Sequence, residues 1–224
     1  MNNKTINILV LDDHPINSDA YINLINEGDR NLTFNFHKTT DCHSAFNKIN
    51  QLEKTTTPLD IALVDLSVPG YLDQKLLSGT DIALLIRQRF PECIIIILTM
   101  HSEPLVLFNA QKQIDPEGFI SKNDIDFETF PTIFNDIINL QNYYSPSINV
   151  AINSLLRQTI KWDEYDIQIV LLLEKGIQTK ELPQYINLSL SSIEKRKAIL
   201  KRQLLDKKSS DKELIKKCKV LKLI

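Results

Sequence analysis

Through the first 145 residues, short apolar runs alternate with stretches whose apolar positions recur at helical spacing. The runs are INILVL from Ile6, LTFNFHKT, LDIALVDLS, CIIIILTM at 93–100 and the short GFISK. Between and after them lie a polar–apolar stretch from Ile16 to Ile25, CHSAFNKINQLE, SGTDIALLIRQRF ending before Pro91, SEPLVLFNAQKQ, and a long final segment from about Asp126 to Tyr143. Dense apolar runs suit strands covered on both faces. The pattern therefore predicts five strands alternating with five helices, a (βα)5 α/β domain around a doubly wound parallel sheet. In that architecture the chemistry collects beyond the C-terminal ends of the strands, near the switch point of strand order.

The segment QNYYSPSINVAINS breaks the pattern, because Pro146 disfavours helix at the residue before it and small polar residues surround it. The expected organisation is a first domain over 1–145, a connecting segment over 146–160 and a second domain over 161–224. Four helix-like segments follow the break, and no convincing strand. The first runs from about Asp163 to Lys175 and stops at Gly176; a short one, capped by Thr179, reaches about Tyr185. The third, capped by Ser189 or Ser191, runs to Leu205, with Ile193, Leu200 and Leu204 on one face and Lys195, Arg196, Lys201 and Arg202 largely on the others. The fourth presents an apolar side through Leu214, Ile215, Cys218 and Leu221. The second domain thus reads as a small all-α four-helix unit holding a helix-turn-helix with a basic second helix, an arrangement commonly docked in a DNA major groove. Pro183 would cost about 3 kcal/mol inside a helix, and much less in its first turn.

Charge sharpens the division. Residues 1–150 carry 10 Lys and Arg against 19 Asp and Glu, whereas residues 151–224 carry 16 against 9, although the whole chain of 224 residues is only −2. An acidic module joined to a basic one suits a protein that meets a polyanion. No apolar run approaches the roughly 20 residues needed to span a bilayer, and the N-terminus lacks the features of a signal peptide, so a cytoplasmic protein with no membrane partner is expected. Cys42, Cys93 and Cys218 are widely separated and lack metal-ligand spacing, which predicts reduced packing residues. The five glycines, Gly28, Gly70, Gly79, Gly118 and Gly176, form neither a G-x-G-x-x-G nor a P-loop. A nucleotide-binding enzyme is disfavoured accordingly.

Polar residues close the predicted strands: Asp12 and Asp13 after the first, Asp65 at the third, Thr99 at the fourth and Lys122 at the fifth. They should converge at one sheet edge. Carboxylates about 4 Å apart repel by roughly 4 kcal/mol per pair at an effective dielectric of 20, a cost that a hard divalent cation reverses. The acidic set therefore predicts Mg²⁺. Lys122 can neutralise, and Thr99 can hydrogen-bond, the oxygens of a phosphoryl group, which leaves Asp65 as the nucleophile that forms an aspartyl phosphate. His14 and His101 are read as structural or exposed residues.

VLDDHP, VDLSVPG, LTMHSEP and GFISK resemble, in order and spacing, the strand-end motifs of the response-regulator receiver domain, over about residues 5–145. The resemblance implies phosphorylation of Asp65 by a histidine kinase or histidine phosphotransfer protein, with Mg²⁺ held by Asp12, Asp13, Asp65 and the backbone carbonyl of Ser67. It also implies that Thr99 and Lys122 sense the phosphoryl group and that Phe119 occupies the aromatic switch position. Between Pro69 and Gly79 the chain is about six residues longer than the family spacing, either a modulator of phosphoryl lifetime or a tolerated surface insertion. EKGIQTKEL and NLSLSSIEKRKAILKRQL resemble the LuxR-type helix-turn-helix behind receivers of the NarL/FixJ subfamily. Matching positions put Lys180 and Ser192 on phosphate and Glu194, Lys195 and Ala198 within reach of base edges, with Arg196, Lys201 and Arg202 completing the basic surface. Arg196 stands where the family often has histidine, and Glu194 where it often has lysine.

The expectation is a DNA-binding regulator of a two-component phosphorelay, catalytic only toward its own phosphoryl group and homodimeric on double-stranded DNA when active. The alternative is a phosphorylated protein-interaction module whose helix-turn-helix no longer reads operators, motivated by Glu194 and Pro183.

Overall fold

The structure, a computed structural model, describes residues 5–28, 32–156, 162–205, 209–221 and 223–224. Two compact units, Met1–His101 with Gln113–Ile148 and Ser102–Lys112 with Asn149–Ile224, do not follow chain order. In the first, β1 (Thr5–Leu11), β2 (Thr33–Thr39), β3 (Ile61–Val64), β4 (Ile94–Thr99), β5 (Gly118–Ser121) and β6 (Tyr143–Tyr144) form a parallel sheet of order β2-β1-β3-β4-β5-β6. Leu11 lies opposite Thr39 on one side and Val64 on the other, and Thr99 lies opposite Ser121. The strands therefore finish at one edge. The chain leaves β1 toward β2 on one side and later returns to β3 on the other, which makes the β1/β3 crevice the switch point.

Side-chain alternation divides the strand residues between two buried faces. Ile8, Val10, Ile61, Leu63, Ile96, Leu98 and Ile120 pack with Tyr21 and Ile25 of α1 (Pro15–Gly28) and Phe130, Phe134 and Ile137 of α5 (Thr129–Ile138). Their neighbours Leu9, Leu11, Ala62, Val64, Ile95 and Ile97 are buried on the other face. On that side α2 (Cys42–Lys54) and α3 (Gly79–Arg89) pack against each other. Burial on both faces is why the strands read as unbroken apolar runs. Cys42, Cys93 and Cys218 are buried and form no disulfide among the described residues.

The single helix expected from Asp126 to Tyr143 is corrected. α5 ends at Ile138, Asn139 caps it, and Leu140 takes φ 66°, turning the chain so that Tyr143–Tyr144 can pair with Gly118–Phe119. Contacts distant in sequence decide this. Tyr144 meets Phe119 edge-on at 5.8 Å and donates its hydroxyl to the Pro116 carbonyl at 3.3 Å. Buried Ser145 extends the pairing: its N–H donates to the Phe119 carbonyl, and its hydroxyl accepts from the Ser121 N–H, both at 3.0 Å. Pro146 then opens α6 (Pro146–Leu156), at a first-turn position where its missing N–H is not needed. Much of the expected connecting segment is thus helical, and its residues 157–160 lie outside the described residues.

The long loop before α3 is ordered. Tyr71 and Leu76 exchange two backbone hydrogen bonds around a 3-10 turn at Leu72–Gln74, with Lys75 at φ 57°. The Tyr71 ring rests on His43 and Phe46 of α2, at centroid distances of 4.4 and 5.9 Å. Beyond the loop, Gly79 sits so close to the backbone of Asp65 that a Cβ would fall 1.9 Å from its carbonyl oxygen. Gly79→Ala must therefore push α3 away from β3, and overpacking of this kind costs about 1–3 kcal/mol. Chemical denaturation of the variant is expected to show that loss; unchanged stability would mean that the loop yields freely.

The second unit contains the described parts of α6 from Asn149, α7 (Glu164–Glu174), a 3-10 turn at Leu182–Gln184, α8 (Leu190–Leu205), α9 (Asp211–Val220) and most of α4 (Pro104–Ile114). Asp163 caps α7 by accepting from the Asp166 N–H at 2.9 Å, and Gly176 follows with φ 84°. Ser189 accepts from the Ser192 N–H at the start of α8, and Ser210 and Glu213 form a capping box at α9. The helix expected over 179–185 shortens to the 3-10 turn, with Pro183 in its first turn, so the interior-proline cost does not arise. Leu105, Leu155, Ile167, Val170, Leu200, Leu204, Leu214, Cys218 and Leu223 share one core. Leu221, expected on the apolar side of the last helix, is exposed; Leu223 fills the core instead, and its carbonyl accepts from the Leu105 N–H at 3.1 Å. Among the described residues no helix is long and apolar enough to cross a membrane.

Candidate functional site

At the C-terminal sheet edge, β1 delivers Asp12, β3 delivers Asp65, and β5 delivers Lys122 one residue beyond its end. The Lys122 ammonium lies between the two carboxylates, 2.7 Å from Asp12 Oδ2 and 2.6 Å from Asp65 Oδ2. Their side chains are 8%, 3% and 5% exposed. Burial disfavours the charged lysine, yet its hydrogen bonds to Asp12 and Asp65 outweigh that and hold its pKa above the ordinary value. Burial also pushes the neighbouring Tyr21 phenol up to about 12. Each carboxylate has a second donor: the His14 N–H reaches Asp12 Oδ1, and the Ser67 N–H reaches Asp65 Oδ1, both at 2.9 Å.

Asp13 points to the more open side, where its carboxylate pairs with His14 Nδ1 at 2.7 Å. Asp12, Asp13 and His14 offer ligand atoms within 4.8 Å of one another, whereas Asp65 joins Asp12 through Lys122. Thr99 is fully buried, and its hydroxyl accepts from the His101 N–H at 3.0 Å. The Lys122 N–H donates to the Thr99 carbonyl at 2.9 Å, which ties the ends of β4 and β5. Phe119 is fully buried against Tyr144. His101, read from sequence as bland, meets Ser67 Oγ through Nε2 at 2.9 Å, linking the loops that follow β3 and β4.

In the second unit the expected nucleic-acid residues separate into two groups. Lys180, Glu194, Lys195, Ala198 and Arg202 are exposed, and Ser192 is half-buried within a cluster of hydroxyls from Ser189 and Ser191. Arg196 and Lys201 instead turn toward carboxylates: Arg196 pairs with Asp163 and Asp166, and Lys201 with Asp211 at 2.6 Å. Lys197, not singled out from sequence, is only 4% exposed and bonds Thr179 Oγ1 at 2.5 Å and Asp211 Oδ2 at 2.8 Å. Its signal was present, since it falls four residues after Ile193 and three before Leu200, on the apolar stripe.

A profile of the response regulator receiver domain matches residues 8–130, more than half of the chain. The chain belongs to the response regulators. The transcriptional regulatory protein RcsB of Salmonella typhi and that of Escherichia coli (strain K12) are each 28% identical to it over 130 residues, 54% of this chain and 50% of theirs. The chain thus spans about half the length of the curated relatives it matches. A structure of RcsB from Salmonella enterica serovar Typhimurium, bound to promoter rprA with phosphomimetic BeF3-, superposes with a TM-score of 0.66 at 20% identity, covering 96% of this chain and 98% of that one. The likeness of fold therefore extends through both units.

Receiver domains generally bind Mg²⁺ with acidic residues, and this response regulator carries a suitable donor set. Asp12 and Asp65 share the Lys122 ammonium, and Asp13 places a further carboxylate beside Asp12, so the sheet edge offers hard oxygen donors of the kind a divalent cation takes.

Proposed function

We propose that this response regulator binds DNA as the output of a two-component phosphorelay, with Asp65 as its phosphoacceptor. The observation that carries the reading is the buried Asp12–Lys122–Asp65 arrangement. A carboxylate oxygen of Asp65 attacks the phosphorus of a phosphohistidine on a kinase or phosphotransfer protein. A P–O bond forms, the P–N bond breaks, and the imidazole leaves with the electron pair and takes up a proton. Asp12, Asp13, Asp65 and the Ser67 carbonyl would hold Mg²⁺, which would supply positive charge for the transferring oxygens. Lys122 then exchanges a carboxylate partner for a phosphoryl oxygen, and the Thr99 hydroxyl gives up its bond from the His101 N–H to face the new group. Phe119 follows Thr99 as the switch aromatic. Loss of the phosphoryl group by hydrolysis is the only turnover.

The receiver occupies 1–145, a connecting segment 146–160, and the DNA-binding domain 161–224. Lys180 and Ser192 contact phosphate, and Arg202 adds positive charge; Glu194, Lys195 and Ala198 face the bases. Phosphorylation favours a homodimer whose two α8 helices address half-sites about one DNA turn apart. The protein works in the cytoplasm. Likeness to RcsB, which was solved on a promoter, supports the DNA-binding part.

The test is intact mass spectrometry and mobility-shift assay of the full chain with acetyl phosphate and Mg²⁺. An acid-labile PO₃ adduct and tighter binding of selected genomic fragments are expected. An adduct with no binding to any fragment would favour the interaction-module alternative, and absence of the adduct would remove the phosphorelay role.

A further inference from the structure

Helix α8 carries five basic residues, and the structure commits three of them inward. The Arg196 Nη1 bonds both Asp163 Oδ2, on the cap of α7, and Asp166 Oδ1, at 3.0 Å in the second case, while its Cζ lies 5.3 Å from the centre of the Tyr165 ring. Lys197 and Lys201 hold the two oxygens of Asp211, in the first turn of α9, and Thr179 Oγ1 donates to the same carboxylate at 3.0 Å. α8 is thereby fastened on one side to the start of α7 and on the other to the start of α9. Burial raises the Asp163 carboxyl, but the Asp166 amide and Arg196 together bring its pKa below the ordinary value. Burial likewise raises Asp211, and Lys197, Lys201 and Thr179 reverse it.

We infer that Arg196 and Lys201 are positioning residues rather than DNA contacts, setting the seat of α8 through Asp163, Asp166 and Asp211, so that base discrimination falls to Glu194, Lys195 and Ala198. This rests on the DNA-binding reading above. Moving Arg196 onto a phosphate would strand the Asp166 carboxylate, only 16% exposed, without its cation and leave the half-exposed Asp163 unpaired from it. Glu194, 57% exposed, has a lysine partner in Lys197 at 3.5 Å from one oxygen, and an exposed carboxylate of this kind can accept from the exocyclic amine of cytosine.

The experiment uses the full chain, a fluorescent duplex that the parent selects from a random-sequence pool, and a scrambled duplex, each titrated over a range of salt. The variants are Arg196→Gln, Asp163→Asn with Asp166→Asn, and all three together; asparagine serves as well as aspartate at a helix cap, so the acidic variants keep α7 capped. Arg196→Gln and the acidic pair are each expected to weaken the selected duplex about tenfold, an effect the size of one lost base-pair match. Both should leave the scrambled duplex and the salt slope unchanged, and the triple variant should be no worse than either. If the acidic pair tightens binding, or if Arg196→Gln weakens both duplexes and lowers the slope by about 0.9 per protomer, Arg196 is a phosphate contact and the inference fails. Failure of the parent to select any duplex would instead overturn the DNA-binding reading. The clamp itself is then decided by thermal unfolding of the same variants, where additive effects of positions 163, 166 and 196 would refute it. Should Arg196→Gln not fold, Arg196→Lys enters the same cycle.

Discussion

Asp65→Asn is expected to accept no phosphoryl group from acetyl phosphate under conditions in which the parent forms an acid-labile adduct. The effect should be a complete loss, because an amide offers no anionic oxygen to attack phosphorus. The substitution is nearly isosteric, and its carbonyl oxygen can still accept from the Ser67 N–H that now reaches Asp65 Oδ1. Lys122 also retains Asp12 at 2.7 Å, so the buried ammonium keeps one charged partner. The variant should therefore fold, and its silence would report chemistry instead of collapse. Intact mass before and after acid treatment checks this, and an adduct persisting in Asp65→Asn would strip the role from that residue.

Lys122→Met is expected to produce the largest loss of stability. Removing one member of a buried ionic set costs about 3–5 kcal/mol, because the remaining charges stay out of water without compensation. Here two carboxylates are stranded together, so the upper end applies. Adding Asp12→Asn should return a substantial part of that loss by halving the stranded charge, and equilibrium denaturation of the single and double variants measures both steps. If Lys122→Met is as stable as the parent, the ammonium is not the strut between β1, β3 and β5 described above.

The sheet was legible because burial on both faces leaves unbroken apolar runs such as CIIIILTM, and each run ends in a polar residue at the common edge. Asp12, Asp65 and Lys122 met as those strand ends required. Tyr143–Tyr144 was not legible as a strand: two residues carry no period, and their pairing depends on Phe119 and Pro116, more than twenty residues away in sequence. In the second unit the basic residues of α8 were visible, but their partners were not. Asp163, Asp166 and Asp211 are distant in sequence from the cations they hold, so the motif displays Arg196 and Lys201 as basic surface and does not display the carboxylates paired with them. The pairing of Ser67 with His101 was hidden for the same reason.

The packing of Tyr71 against His43 and Phe46 bears on protein engineering. Because the long segment before α3 is anchored to aromatic side chains of a different helix, it is not a portable graft. A chimera that borrows residues 70–79 alone would import a tyrosine with no ring to lean on, whereas one that also borrows the two α2 aromatics carries the whole joint with it.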